Sequence, residues 1–115
     1  MSKSVVVKSN GTIEYKTLDD LKSLQETVGG YIEAIYCENI GSGYVNETGK
    51  LDNLPINLLA TYIWAISNKW DKLHDVLCGD VIFTGIVDEE GNTTDISDEF
   101  IKLIMNIGFN FFIEN

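Results

Sequence analysis

Arginine is missing from the sequence: all 8 basic residues are lysines, set against 18 acidic residues for a net charge of -10. The planar guanidinium fork that reads guanine or grips phosphate through two hydrogen bonds is therefore absent. The field of so acidic a chain also repels nucleic acid, which disfavours direct DNA or RNA binding. Histidine occurs once, as His74, and cysteine twice, as Cys37 and Cys78, in no Cys-x-x-Cys spacing. That excludes a disulfide framework and leaves buried, reduced thiols as the expectation. A zinc site would need His74, both cysteines and a carboxylate to converge, and nothing in their spacing predicts it. No stretch approaches the roughly 18 uninterrupted apolar residues of a membrane-spanning helix. Met1-Ser2-Lys3-Ser4 leads into a short alternating segment rather than the apolar run of a signal peptide, so a cytoplasmic protein without membrane contact is expected. With 1 proline, 10 glycines and no low-complexity block in 115 residues, the chain reads as one compact domain over 1–115.

Catalytic signatures are lacking too. There is no G-x-S-x-G elbow, no H-E-x-x-H pair and no phosphate-binding glycine fingerprint. No catalytic residue, cofactor or metal is assigned, and a non-enzyme is expected. The best case for acid–base chemistry is a buried carboxylate pair, Glu33 and Asp80, against which stands the simpler reading of Glu33 as solvated and Asp80 as bonding turn amides. The acidic run from Asp88 to Asp95 does not carry a calcium loop, because Gly91 falls fourth from Asp88 where that loop needs glycine sixth. It reads as a solvated turn.

What is present is a chain 44% hydrophobic with alternating and helical periodicities in succession. Val5–Lys8 and Thr12–Lys16 flank Asn10-Gly11, the signature of a β-hairpin. Leu18, Leu21, Leu24 and Val28 recur at helical spacing behind Thr17 and Asp20, predicting a helix over about 18–28 that Gly29 and Gly30 end. Tyr31–Cys37 has the aromatic and β-branched composition of a central strand, and Gly43–Asn46 that of a short one. Pro55 suits a first helical turn, predicting a helix to about Asn68 with Leu59, Tyr62, Ile63 and Ile66 on one face. Val76–Cys78 and Val81–Val87 read as strands. Asp95 or Ser97 caps a last helix, from Asp98, that Gly108 breaks before the greasy tail Phe109–Ile113. Hairpins without regular βαβ alternation give an α+β fold: a small antiparallel or mixed sheet with about three helices on one side.

Four blocks occur in order: Leu21-x-x-Leu24-Gln25-x-x-Val28-Gly29-Gly30-Tyr31-Ile32-Glu33, then Asn46-Glu47-x-Gly49-Lys50-Leu51, then Leu54-Pro55-x-Asn57 followed by Ala60-Thr61, then Gly79-Asp80-Val81. Over about residues 12–104 the sequence resembles a family of small phage and mobile-element proteins known as a domain of unknown function. It departs from that pattern in the aromatic stretch Tyr62–His74 and in the Phe-rich tail. The resemblance implies a viral accessory protein acting inside the host cell by binding, and it supplies no catalytic residues to carry over.

Candidate contacts are chosen by what each residue type offers a ligand. Gly29 and Gly30 admit close approach and expose amides. Asn57 stands at the positive end of the Pro55 helix, where an anion is favoured. Tyr31, Tyr62 and Trp64 offer faces on which a base can stack. Taken with the resemblance, which implies a phage accessory protein that acts by binding, they give the expectation of a protein that sequesters a small nucleotide-type immune signal, countering host defence. The greasy tail adds an expectation of homo-oligomers, with a pocket shared between protomers. The alternative is an acidic inhibitor of a host protein, mimicking the charge of nucleic acid.

Overall fold

In a computed structural model the structure describes residues 2–114, with side chains through 112. The chain runs β1 (Ser2–Val7), β2 (Ile13–Leu18), α1 (Leu21–Val28), β3 (Ile32–Cys37), β4 (Gly41–Asn46), α2 (Leu58–Ser67), β5 (Val81–Thr84) and α3 (Asp98–Glu114). The fold is α+β: a 5-stranded antiparallel sheet in the order β2-β1-β5-β4-β3, carrying three helices.

The hairpin β1–β2 forms around Asn10-Gly11, with Gly11 at φ 93°, a conformation that costs glycine nothing. In α1 the cap is Asp20, whose carboxylate accepts the Ser23 amide while the Ser23 hydroxyl accepts the Asp20 amide. Thr17 belongs instead to β2. Gly29 closes the helix at φ 81°. Pro55 precedes α2 rather than entering it; Asn57 is the cap. Val76–Cys78 forms no strand beyond a bridge from Ile56 to Cys78, and β5 ends at Thr84.

Strand alternation sends side chains to two faces. Val5, Val7, Val81, Phe83, Val45 and Ile35 join Leu59 and Ile63 of α2 and Phe100, Ile104 and Ile107 of α3 in the main core. On the other face Val6, Ile82 and Tyr44 pack against Val28 and Leu24 of α1. The helices therefore cover both faces, not one, because α1 has an apolar stripe of its own to bury.

The expectation that β3 is central is overturned, since β5 occupies the middle and β3 an edge. Its apolar composition is accounted for by two contacts. Ile35 and Cys37 are buried beneath α2, and the exposed flank is partly sealed. Glu47 N–H donates to the Tyr31 carbonyl, so alternate backbone groups of β3, at Ile32, Ala34 and Tyr36, point outward. Trp64 Nε1 (3.2 Å) and Asn68 Nδ2 (2.9 Å) donate to the Tyr36 carbonyl, and the Glu38 amide donates to Asn68 Oδ1 at 3.0 Å. Side chains from the end of α2 thus take the place of a neighbouring strand and blunt the edge.

Gly108 does not break α3. A Cβ there would stand 2.9 Å from Ile13 Cδ1, so glycine marks a close approach of helix to sheet. Among the described residues no helix is long and apolar enough to cross a membrane.

Candidate functional site

The six residues expected to contact a ligand are distributed over several structural tasks. Asn57 is 1% exposed; its Nδ2 donates to the carbonyls of Val7 and Gly79, both at 2.8 Å, and its Oδ1 accepts the Ala60 amide. Its amide group is committed to tying α2 to β1 and to the turn before β5. Gly29 is the left-handed cap of α1, and Gly30 lies against Asn46, whose Nδ2 donates to the Val28 carbonyl. Tyr31 is exposed at the start of the β3 edge. Tyr62 packs edge-on against Phe111, with ring centroids 6.1 Å apart. Trp64 guards β3 and stacks edge-on against Trp70, which in turn meets His74. The structure places Gly29, Gly30 and Tyr31 side by side between α1 and β3, and commits Asn57, Tyr62 and Trp64 to separate contacts.

The sequence blocks themselves converge. Gly30 abuts Asn46; the Gly49 amide donates to the Asn46 carbonyl; the Gly79 amide donates to the Pro55 carbonyl; and Asn57 reaches Gly79. Residues distant in sequence thereby form one hydrogen-bonded knot joining α1, β4, α2 and β5, which is an architectural role.

The other candidate chemistry is also placed. Asp80 accepts the Ser9 amide at 3.0 Å, and Asp88 accepts the amides of Glu90 and Asn92 in a turn. Glu33 is exposed on β3. Among the described residues no three histidine, cysteine or acidic groups cluster as metal ligands do.

A larger concavity lies elsewhere, in a groove of about 670 Å³ between the end of α2, the face of α3 and the β3–β4 turn. Ile40, Ile66 and Leu103 give it apolar walls, Asn39 and Asn106 bring amides to it, and Lys69, Lys102, Glu38 and Glu99 line it with charges of both signs. Among the described residues Lys8, Lys16, Lys22 and Lys50 are held in ion pairs, whereas Lys69 and Lys102 are in none. Two of the free cations of a strongly acidic chain thus share one groove.

Lys69 is there at a cost. The Lys69 amide donates to the Ile66 carbonyl and the Trp70 amide to the Ala65 carbonyl, both at 3.0 Å, the two bonds of a Schellman ending. That ending places its residue in the left-handed region, where glycine is usual, and Lys69 has φ 56°. A side-chain-bearing residue in this conformation gives up about 1 kcal/mol relative to glycine. Asn39, across the groove, also has positive φ, at 62°, which asparagine tolerates better. The signal available in the sequence was a lysine where a helix should end in glycine.

The Ser67 hydroxyl in the groove donates to the Trp64 carbonyl at 2.8 Å, and no histidine lines the space to activate it. The groove presents ammonium, carboxylate and amide groups beside apolar walls, an arrangement suited to holding a charged ligand with an apolar body.

Comparison with curated proteins finds no match, and comparison with solved structures finds none either. Residues 1–107 match the family described as a domain of unknown function, DUF3846, and the chain belongs to that family.

Proposed function

We propose that this protein binds a small nucleotide-type anion in the groove between α2 and α3 and holds it without turnover. The observation that carries this reading is the strained placement of Lys69 beside Lys102, two cations without ion-pair partners in a chain of net charge -10. Their ammonium groups suit a phosphate, Asn39 and Asn106 suit the polar edge of a base, and Ile40, Ile66 and Leu103 suit its faces. Binding is favoured over catalysis because the Ser67 hydroxyl in the groove is turned to the Trp64 carbonyl. In the light of the family resemblance, the proposed role is that of a phage accessory protein that sequesters a nucleotide-type immune signal in the host cytoplasm. Exposed Met105, Phe109 and Phe112 follow one another along α3 beside the groove, and self-association through them would slow escape of the ligand.

The test is equilibrium dialysis of the purified protein against a panel of linear and cyclic mono- and dinucleotides, followed by mass spectrometry of what is retained. A nucleotide released unchanged from the denatured protein is the expected result. Lys69→Gly is expected to stabilise the fold by up to about 1 kcal/mol, by relieving the left-handed strain. The same variant is expected to weaken nucleotide binding about tenfold or more, through loss of a charged hydrogen bond. A more stable variant that binds as well as the parent sinks the assignment of the groove. Failure to retain any nucleotide, with salt-sensitive capture of a basic host protein instead, would favour an acidic inhibitor.

A further inference from the structure

On the sheet face opposite the groove, α1 spans only part of the width and leaves a row of hydroxyls beside it. Thr84 of β5 pairs with Ser42 of β4, and one step beyond the Val5–Phe83 pair brings Ser4 of β1 level with Thr84. Ser4 and Thr84 are 0% and 1% exposed, positions where a sheet face usually carries apolar side chains. A cavity of about 480 Å³ opens over this floor, between the start of α1 and the loop at 91–93. Leu18, Leu24 and Ile32 wall it, Tyr44 and Thr93 share a 2.9 Å hydrogen bond at its side, and Asp19 and Asp20 stand at its rim.

The direction of the hydrogen bonds decides what such a cavity can take. Ser2 Oγ donates to the Thr93 carbonyl at 2.9 Å, Ser4 Oγ reaches the Lys16 carbonyl at 3.3 Å, and Thr84 Oγ1 donates to the Gly85 carbonyl at 3.1 Å. Each hydroxyl proton is turned toward the backbone, so what the floor offers an incoming molecule is oxygen lone pairs. The rim adds carboxylates, and no lysine lines the space. An anion would meet the lone pairs of the floor and the carboxylates of Asp19 and Asp20, against the donor groups of Asn92 and of the Tyr44–Thr93 pair. A ligand bearing several N–H donors and a positive charge would meet complementary groups, with the aliphatic side chains of Leu18, Leu21, Leu24 and Ile32 for its carbon chain.

We infer that this cavity is a second binding site, separate from the lysine groove and opposite to it in charge preference, that takes a small organic cation of the alkyl-guanidinium or alkyl-ammonium class. The acidity of the whole chain raises the local concentration of such a ligand, while the hydroxyl floor and apolar walls select among cations. The inference does not rest on the nucleotide reading, because the two sites share no residue.

Agmatine, which carries a guanidinium and an ammonium on one alkyl chain, is the probe, with inorganic phosphate as the anionic control. Titration of the full chain followed by amide chemical shifts should show saturable changes at Ser4, Thr84 and the loop at 91–93, and none there with phosphate. The pair Ser4→Ala and Thr84→Val, which keeps side-chain volume nearly unchanged, should weaken agmatine binding about tenfold or more. Leu24→Trp, which fills the cavity from its half-buried wall and leaves the hydroxyls in place, should abolish it. Lys69→Gly, on the opposite face, should leave it unchanged. Shifts that never saturate and vanish with modest salt, or binding undiminished in both the hydroxyl and the Leu24→Trp variants, would overturn the site.

Discussion

The Cys37 thiol lies beneath α2, 1% exposed, where burial pushes its pKa up to about 11 while a hydrogen bond with Ser67 pulls the other way. In the unfolded chain the same group titrates near its ordinary value of 9.0. A group whose pKa is raised by folding contributes stability that is complete below the unfolded value and is lost as pH climbs toward the folded one. Stability should therefore fall between about pH 9 and 11. Lys8 and Lys50, raised by Glu14 and Asp75, lose their pairing in the alkaline range as well, so the thiol is isolated by comparison with Cys37→Ala. That variant is expected to be less stable at pH 7 by about 1–2 kcal/mol, from lost packing. The deficit should shrink by about 2 kcal/mol by pH 11, when the parent alone must keep a buried thiol protonated. Urea midpoints at pH 7, 9 and 10.5 provide the check, and parallel pH curves would refute the desolvation account. Residue type announced this thiol's buried state, because cysteine outside a metal or disulfide pattern is usually core. The groove was not legible in the same way. Asn39, Lys69 and Lys102 are 30 and 33 residues apart in sequence, with no spacing that marks them as partners. Asn57 could be read as lying near a helix start, but not as the cap itself, and its bonds to Val7 and Gly79 depend on where β1 and the turn before β5 arrive.

Elements meet through their glycines, and two of these make opposite demands. A Cβ on Gly41, at the start of β4, would stand 2.4 Å from the Thr84 carbonyl oxygen and 2.6 Å from the Phe100 ring. Neither can withdraw, since one is strand backbone and the other is a fully buried ring edge-on to Phe83. Gly41→Ala should cost about 3 kcal/mol, the upper part of the range for overpacking. On Gly108 the obstacle is Ile13 Cδ1, the far end of a side chain on an edge strand, and alanine gains about 1 kcal/mol of helix propensity. Gly108→Ala should remain within about 1 kcal/mol of the parent or exceed it. Urea denaturation of the two variants side by side decides between this account and one in which every glycine is needed for flexibility. The hairpin, the end of α1 and the existence of three helices could be read from turn residues and periodicity, because those signals are local. Strand order could not. The apolar face of β3 reads as central until α2 is seen to cover it and Trp64 and Asn68 to blunt its edge. The continuation of α3 through Gly108 depends on a contact with β2, far away in sequence.

Across the whole molecule, 18 acidic residues face 8 lysines in a body of radius of gyration 13.0 Å. Ion pairs among the described residues join only Lys8, Lys16, Lys22 and Lys50 to carboxylates, apart from the weak approach of His74 to Asp71. Most acidic groups therefore act on one another. At about 0.01 M ionic strength the screening length is about 30 Å, more than the radius of the molecule; at about 0.1 M it is about 10 Å, and distant carboxylates stop sensing each other. The few lysine pairs are exposed and contribute little that salt can remove. Unfolding spreads the charges apart, so the repulsion that salt screens belongs mainly to the folded state. The melting temperature should consequently rise, by a few degrees, between about 10 and 150 mM sodium chloride at pH 7, as followed by circular dichroism. A fall would mean that attraction outweighs repulsion and that the lysine pairs matter more than their exposure suggests. The same field acts on the two proposed ligands with opposite sign. An anion must cross a repulsive potential to reach Lys69 and Lys102, so its association rate should rise with salt even as its short-range contacts weaken. A cation approaching the hydroxyl floor is drawn in, and its association rate should fall. Opposite salt slopes for nucleotide and agmatine association, measured on one protein by stopped flow, would separate the two sites without any substitution.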